Sequence, residues 1–319
     1  MPEPWSTNAS GIAIRILHEL DALDTVPASL KQQAIDYLRS CQDPDDGLFR
    51  DPLETDDRHD GPHSWEQVWG QRHSAATEAL VYLNADPLYP LPDAQFADLT
   101  RIAGSAFTLE HTDWRNPWGH GESWARAIEA FLNNNRLTSK DRADLSSPVL
   151  REAFAAFEQH IIDPESGYPS RRMPHRDDPR AMAGLFKIMM AYVACGRPYP
   201  HAEAAIDSTL ALQHEDGEFG CRNNMCINWD SVWVLLQLDR QLAAAHHHPD
   251  IVHAGQRLAD HLIAHYRKPD GGFAFHGRHC ISNHHSIRLC DTPQPIGDML
   301  GTTMALYCLQ YADHWLCPD

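Results

Sequence analysis

Apolar residues recur at three- and four-residue spacing through much of the chain, a pattern typical of amphipathic helices. In the first such segment, Ile12, Ile16 and Leu20 fall on one helical face. Strand-like alternation is nearly absent, and proline and glycine fall between the segments, where helices end. The pattern predicts helices over residues 12–23, 30–41, 74–83, 96–109, 123–132, 149–162, 180–195, 202–212, 229–244, 251–266 and 297–316.

A short turn recurs after these helices, in which polar residues lead to a glycine and then to an aromatic residue. Copies occupy 42–49, 163–168, 213–219 and 268–273, and 114–121 resembles a degenerate fifth. Their glycines at 47, 119, 167, 217 and 271 are 72, 48, 50 and 54 residues apart. A period of about fifty residues holding two helices predicts an array of helix hairpins, because one hairpin cannot bury its apolar face alone. We therefore expect an all-α fold, an α/α toroid of about five to six hairpins around a central cavity, with residues 1–319 as a single domain.

The turns carry a family resemblance. Gln42, Gly47 and Phe49, and again Gln213, Gly217 and Phe219, have a spacing that resembles the glutamine–tryptophan repeat of squalene and oxidosqualene cyclases. The same repeat occurs in looser form in protein prenyltransferase β subunits, and the helix after residue 301 is similar to the last helix of those toroids. The resemblance covers most of the chain and implies membership of the terpenoid cyclase and protein prenyltransferase superfamily.

Composition narrows the possible partners. The net charge is −18 and no cluster of basic residues offsets it, so we expect neither a nucleic-acid partner nor an anionic membrane surface. No apolar stretch is long enough to span a membrane, and the N-terminus lacks a signal-peptide pattern. Eight scattered cysteines favour reduced thiols. Reduced thiols predict a cytoplasmic protein. The family resemblance implies a small-molecule ligand, an isoprenoid, and the tryptophan-rich segments leave a sugar as the alternative.

A proton-initiated cyclase needs an acidic side chain inside an apolar cavity. Asp43, Asp45 and Asp46 match the acidic run of that family as a string, but they lie in a repeat turn that favours solvated residues. A second run, 56–60, resembles the acidic motif that binds magnesium diphosphate in isoprenyl synthases, but it falls in a proline-bounded loop, where carboxylates do not share a helix face. Asp230, a lone carboxylate between two tryptophans, is our best candidate for a catalytic acid, because burial beside indoles raises a carboxyl pKa.

Aromatic side chains at helix starts form the candidate substrate site. Such rings can stabilise a carbocation or stack on a sugar. Glu66, Glu122 and His73 are further acid and base candidates. The four-residue spacing from Trp65 to Trp69 and on to His73 would place these three side chains on one helix face, with Glu66 beside it. The alternative is that the tryptophans are core residues. The predicted substrate-binding residues are Trp65, Trp69, Trp118, Trp229 and Trp233.

Two different zinc sites can be considered from the sequence. The resemblance to prenyltransferases implies a zinc site. However, Asp230 falls beside the position of the family's cysteine, so the ligand spacing is lost, and Gly301 stands in place of its histidine; we therefore reject that site. A different zinc site would need two repeat turns to converge, because thiolate and imidazole suit zinc. Its candidate ligands are Cys221, Cys226, His276 and His279. The run of histidines at 246–248 is interpreted as an exposed loop.

Three functions remain open at this point. The first is a small isoprenoid-handling enzyme, terpene cyclase-like or prenyltransferase-like, that uses an aromatic-lined central cavity. The second is a carbohydrate-active (α/α)6 lyase or hydrolase. The third is a non-catalytic toroid that binds a lipid or a protein. An apolar cavity favours the first, an open polar groove the second, and a plugged cavity the third.

Overall fold

Helices dominate the computed structural model of the chain. It describes residues 6–19, 21–62, 65–90, 109–122, 124–125, 128, 148–173, 179–284 and 286–316. Residues 117–122, 124–125 and 128 are also helical. The bounded helices are α1 (Thr7–Glu19), α2 (Ala28–Ser40), α3 (Trp65–Tyr82), α4 (Pro148–His160), α5 (Pro179–Ala194), α6 (Ala202–Ala211), α7 (Met225–Gln241), α8 (His248–His261) and α9 (Met299–Leu316).

These helices confirm the all-α prediction, and most boundaries agree with the apolar periodicity to within a few residues. Helix α3 begins nine residues earlier than predicted, at Trp65 instead of residue 74, because its first turns are aromatic and polar. Helix α8 runs on into a π-helical turn, Leu262–Tyr266. A two-residue hairpin, β1 (Asn283–His284) with β2 (Ile287–Arg288), is the one small sheet among the described residues. The predicted helix over 96–109 lies outside the described residues except for its last position.

Contacts divide the chain into two compact units. The first comprises residues 1–96 and 267–306, and the second comprises 97–266 and 307–319. In the first unit α1 packs against α3 and α2. In the second, α7 packs against α5, α6 and α8. One continuous domain over 1–319 and its toroidal closure stay predictions. No helix in the described ranges has the length and apolar character that crossing a bilayer requires.

The repeat turns share one backbone geometry. In each, the glycine has a positive φ: 69° at Gly47, 70° at Gly167, 99° at Gly217 and 89° at Gly271. A short antiparallel bridge joins the two sides of three of them, as between Gln213 and Phe219. The aromatic residue that follows is buried in all four. The predicted fifth copy is wrong, because Gly119 lies inside a helical stretch instead of a turn.

The glutamine of the repeat has a defined structural role. Nε2 of Gln213 donates to the carbonyl of Gly217 at 2.9 Å and to that of Ala254 in α8 at 2.8 Å. Gln42 makes the equivalent bond to Gly47 at 2.8 Å, and it also binds the backbone of Tyr89. The side chain therefore closes its own turn and fastens it to a following segment of the chain.

Gly301 is explained by close packing. A Cβ atom at this position would lie 2.5 Å from the backbone nitrogen of Phe275 and 2.7 Å from the carbonyl oxygen of Phe273. The first turn of α9 thus lies directly against the 273–275 segment of the first unit. Any side chain at 301 would collide with that backbone.

Candidate functional site

Helix α7 carries the strongest candidate residue and is held in place at its first turn. Asn224 caps the helix, its Oδ1 accepting from the backbone nitrogen of Cys226 at 3.1 Å. Asn228, one turn on, accepts from the backbone nitrogen of Phe219 at 2.8 Å and so joins α7 to the preceding repeat turn. Nearly all side chains from Met225 to Asp239 are buried, which is typical of a helix surrounded by protein.

Asp230 lies on this buried helix and is only 1% exposed. Its Oδ2 has no hydrogen-bond partner. Burial, opposed in part by the charge of Lys187 and aided by that of Glu122, raises the pKa of Asp230 to about 8. A carboxyl group with this pKa holds its proton at pH 7 and can donate it.

Lys187 and Glu122 form an ion pair in the same unit. Nζ of Lys187 lies 3.6 Å from Oε2 of Glu122, and the two side chains keep 15% and 18% of their surface exposed. Lys187 belongs to α5, whereas Glu122 belongs to the 117–122 helical stretch. One positive and one negative charge, on two different helices, therefore act on Asp230, which lies on a third helix.

Two thiols also interact with Asp230, and together with Lys187 and Glu122 they form the polar cluster around it. Cys226 lies one helical turn before Asp230, and Cys308 is buried on α9. Burial raises the pKa of both thiols well above the ordinary range, and the charge of Asp230 adds to the effect. Both cysteines are free and stay neutral at pH 7, so they behave as small, weakly polar wall residues and not as thiolate nucleophiles.

Aromatic rings pack around this part of α7. The ring centroid of Phe186 lies 4.8 Å from that of Trp229 and 5.1 Å from that of Trp233, both edge to face. Tyr307 stacks on Trp229 at 5.7 Å with an angle of 18° between the planes. These are favourable aromatic geometries. The second unit therefore has a buried carboxyl group and packed aromatic rings on the same stretch of α7, a combination of groups suited to proton donation and to stabilising a cation.

The other predicted tryptophans and His73 lie in the first unit, apart from Trp118. Trp65 and Trp69 stack with ring centroids 6.0 Å apart. Nε1 of Trp65 donates to Asp56 at 3.0 Å, and the Arg50 guanidinium lies 4.6 Å from the ring centre of Trp69. The structure thus brings these two rings together, but Trp65 is hydrogen-bonded to Asp56 and Trp69 is in contact with Arg50.

His73 is buried against Phe49 of the first repeat turn, with ring centroids 5.6 Å apart. Burial lowers the pKa of His73 to about 4, although Asp46 and the backbone of Gly47 oppose the shift. The imidazole is therefore neutral at pH 7 and a weak base. Glu66 lies on α3, and its side chain is outside the described residues. Trp118 is half-buried in the helical 117–122 stretch of the second unit.

The predicted zinc ligands divide between the units. Cys221 is exposed and Cys226 half-buried in the second unit, and His276 and His279 lie in the first with ring centroids 5.4 Å apart. Within the described part of the chain, two clusters bring three possible ligand atoms within 4.8 Å of one another, and neither contains these four residues. Zinc binding at the four residues stays a prediction without support from the described clusters.

Sequence reasoning missed Lys187 as part of the site. A signal was present, because Lys187 is the one charged residue between Ala181 and Ala194. A single lysine inside an otherwise apolar helix is rarely buried without a partner. Cys308 and Phe186 had no comparable signal, since a cysteine or phenylalanine in an apolar helix is ordinary core.

Comparisons of the chain with protein-family models, with curated proteins and with solved structures found no match.

Proposed function

We propose that the protein is a small isoprenoid-handling enzyme in which Asp230 donates a proton to an apolar substrate. The observation that carries the proposal is the state of this carboxyl, which is buried, has no hydrogen-bond partner on Oδ2 and has a pKa of about 8. The resemblance of the repeat turns to those of terpenoid cyclases supplies the substrate class.

The chemistry follows from the groups around the acid. Asp230 donates its proton to a carbon–carbon double bond of the substrate. The substrate becomes a carbocation, and Asp230 becomes a carboxylate. The ring of Trp233 and the face of Trp229 that Tyr307 does not cover stabilise that positive charge, since indole rings attract cations most strongly among aromatic side chains. Loss of a proton from the cation ends the reaction, and a proton returned to Asp230 restores the acid.

A toroidal closure of the helix hairpins belongs to the same proposal. The repeat turns with glycine at 47, 167, 217 and 271 recur with one backbone geometry, as an array of equivalent hairpins requires. Closure of that array would place the helices that follow the turns, including α7, around a central cavity. An experimental structure with the hairpins in an open solenoid would contradict this part of the proposal.

The two other functions have weaker support. A carbohydrate-active enzyme needs accessible tryptophan faces, but Arg50 covers one face of Trp69 and Trp65 is bonded to Asp56. A toroid that only binds a lipid or protein gains nothing from an unpartnered carboxyl oxygen in its interior, because burial of such a group is costly. In a proton donor, the same burial raises the pKa of the carboxyl group and keeps it protonated until it reacts.

The test is turnover of linear isoprenoids in D2O, followed by gas chromatography and mass spectrometry. We expect cyclised or hydrated products carrying one deuterium from solvent, and we expect Asp230→Asn to lower the rate by at least about 10²-fold, the usual contribution of a positioned acid. Asp239→Asn is the matched control, because Asp239 lies on the same helix but is already bonded to His248. Equal turnover by Asp230→Asn and the wild type would contradict the proposal.

A further inference from the structure

A second cluster of polar groups lies in the second unit, between α6 and the loop that joins α7 to α8. It consists of Asp207 on α6 and the consecutive residues His246 and His247. We propose that these three side chains form a binding site for a divalent transition-metal ion, with Zn²⁺ as the best match.

The ligand atoms are already close to the required separations. Nε2 of His246 lies 2.7 Å from Oδ1 of Asp207, and Nε2 of His247 lies 3.7 Å from the same oxygen. All three ligand atoms are within 4.8 Å of one another. Tetrahedral zinc with bonds of about 2.1 Å separates its ligands by about 3.4 Å. Small rotations of the side chains therefore suffice to admit the ion.

A neighbouring carboxylate orients one of the ligands. Oδ2 of Asp250, in the first turn of α8, lies 2.7 Å from Nδ1 of His247. With the proton on Nδ1 in this hydrogen bond, the lone pair of His247 is on Nε2, the nitrogen that faces Asp207. This is the carboxylate–histidine arrangement that fixes ligands at zinc sites. Together Asp207 and Asp250 also balance the two charges of the ion.

The loop that carries both histidines has an unusual backbone conformation. Ala243, Ala244 and His247 all have positive φ, at 49°, 59° and 52°. Residues with a Cβ adopt this conformation rarely, and clusters of it often accompany functional sites. The His246 and His247 rings are nearly perpendicular, with centroids 4.6 Å apart, so two consecutive residues present separate nitrogens to one point.

Accessibility and the ligand set define the chemical class. The side chains of Asp207, His246 and His247 are 54%, 24% and 49% exposed, so an ion can enter from solvent and keep water as a fourth ligand. Two imidazoles and one carboxylate suit zinc, nickel or copper and do not suit calcium or magnesium. The bound ion would fasten α6 to the start of α8.

The adjacent His248 allows this site to be distinguished from unspecific metal binding by a run of histidines. Nδ1 of His248 lies 2.9 Å from Oδ2 of Asp239, a different carboxylate from Asp207. His248→Gln is therefore the matched control. A run of three histidines that binds metal unspecifically would depend on His248 as much as on its neighbours and would not depend on Asp207.

The test is isothermal titration of the full chain, purified without an affinity tag and treated with a chelator, with zinc chloride. We expect one ion per chain, loss of that binding in Asp207→Asn and in His246→Gln, and unchanged affinity in His248→Gln. Asp250→Asn should weaken binding by about 10- to 100-fold, the usual effect of removing an orienting partner.

Binding of zinc that is insensitive to Asp207→Asn would overturn the proposal, as would the absence of any zinc binding to the wild type. Failure of the variants to fold is not expected, because all three ligands are accessible to solvent, and circular dichroism verifies this. None of these outcomes bears on Asp230, so the metal site and the proposed function are tested separately.

Discussion

Nζ of Lys187 lies 3.6 Å from Oε2 of Glu122, so a cation that acts on Asp230 is shared with a second carboxylate. Lys187 lowers the pKa of Asp230, whereas Glu122 raises it. The effects of the pair on Asp230 thus oppose each other, and burial dominates. This arrangement keeps the proton on Asp230 even though a lysine is nearby.

Substitution of Lys187 and substitution of Glu122 should shift the pKa of Asp230 in opposite directions. Lys187→Met removes a stabilising charge and should raise the pKa of Asp230 above its wild-type value of about 8. Glu122→Gln removes a like charge and leaves Lys187 unshared, so it should lower that pKa. Carboxyl ¹³C chemical shifts followed against pH measure both changes. Shifts of the same sign in the two variants would contradict the arrangement.

The raised pKa of Asp230 also makes stability depend on pH. The folded state keeps this proton between the ordinary pKa of 3.8 and about 8, where the unfolded chain has released it. The stability that Asp230 contributes is therefore fully present below pH 3.8 and is lost as pH rises to about 8, by about 1.4 kcal/mol per pKa unit.

Asp230→Asn should abolish this contribution, since asparagine has no proton to lose. The melting temperature of Asp230→Asn relative to the wild type should then rise steadily from pH 5 to pH 8. Asp291→Asn is the control, because Asp291 is exposed and its substitution should leave the pH profile unchanged. A constant difference between Asp230→Asn and the wild type at all pH values would show that Asp230 is ionised in the folded protein.

The repeat glutamine should contribute measurably to stability. Gln213→Leu leaves the carbonyls of Gly217 and Ala254 without their side-chain donor, and we expect a loss of about 1–3 kcal/mol in the free energy of unfolding. Gln32→Leu is the matched change on the exposed face of α2, where the amide bonds to Asp36, and it should alter stability by less than about 0.5 kcal/mol. Urea denaturation measures both values. Equal losses would remove the structural role assigned to the repeat.

The repeat glycine makes a sharper comparison. Gly217 has φ of 99°, and a Cβ there would collide with the carbonyl of Arg257. Gly217→Ala should therefore destabilise the protein by about 3 kcal/mol or more. Gly70 lies within α3, and a Cβ atom added there would have no neighbour within 4 Å. Gly70→Ala should stabilise by about 0.5–1 kcal/mol because alanine favours helices. Thermal unfolding of the two variants should shift in opposite directions.

Local features of the fold were predictable from the sequence because they depend on nearby residues. Apolar periodicity located α4, α5 and α6 to within one residue at most ends. The turns around Gly47, Gly167, Gly217 and Gly271 were recognisable because a glycine with positive φ and a buried aromatic residue repeat together. Gly119 was misassigned because its neighbours Trp118 and Gly121 resemble the turn in composition, although the segment is helical.

The site was only partly predictable because it depends on contacts between distant segments. Asp230 was identifiable from the flanking tryptophans. Its connection to Lys187 and Glu122 was not, since these residues are 43 and 108 positions earlier in the chain. The histidines at 246–248 were interpreted as a loop because the sequence does not show that Asp207, almost forty residues earlier, lies beside them.

The measurement that tests the central claim most directly is the protonation state of Asp230 at neutral pH. Selective ¹³C labelling of aspartate carboxyls, with the Asp230 signal assigned by its absence in Asp230→Asn, follows this one group through a pH titration. The account predicts a protonated carboxyl at pH 7 and a midpoint of about 8. A signal that titrates at about 4, the usual aspartate value, would show an ionised carboxylate at neutral pH and would contradict the proposed proton donor.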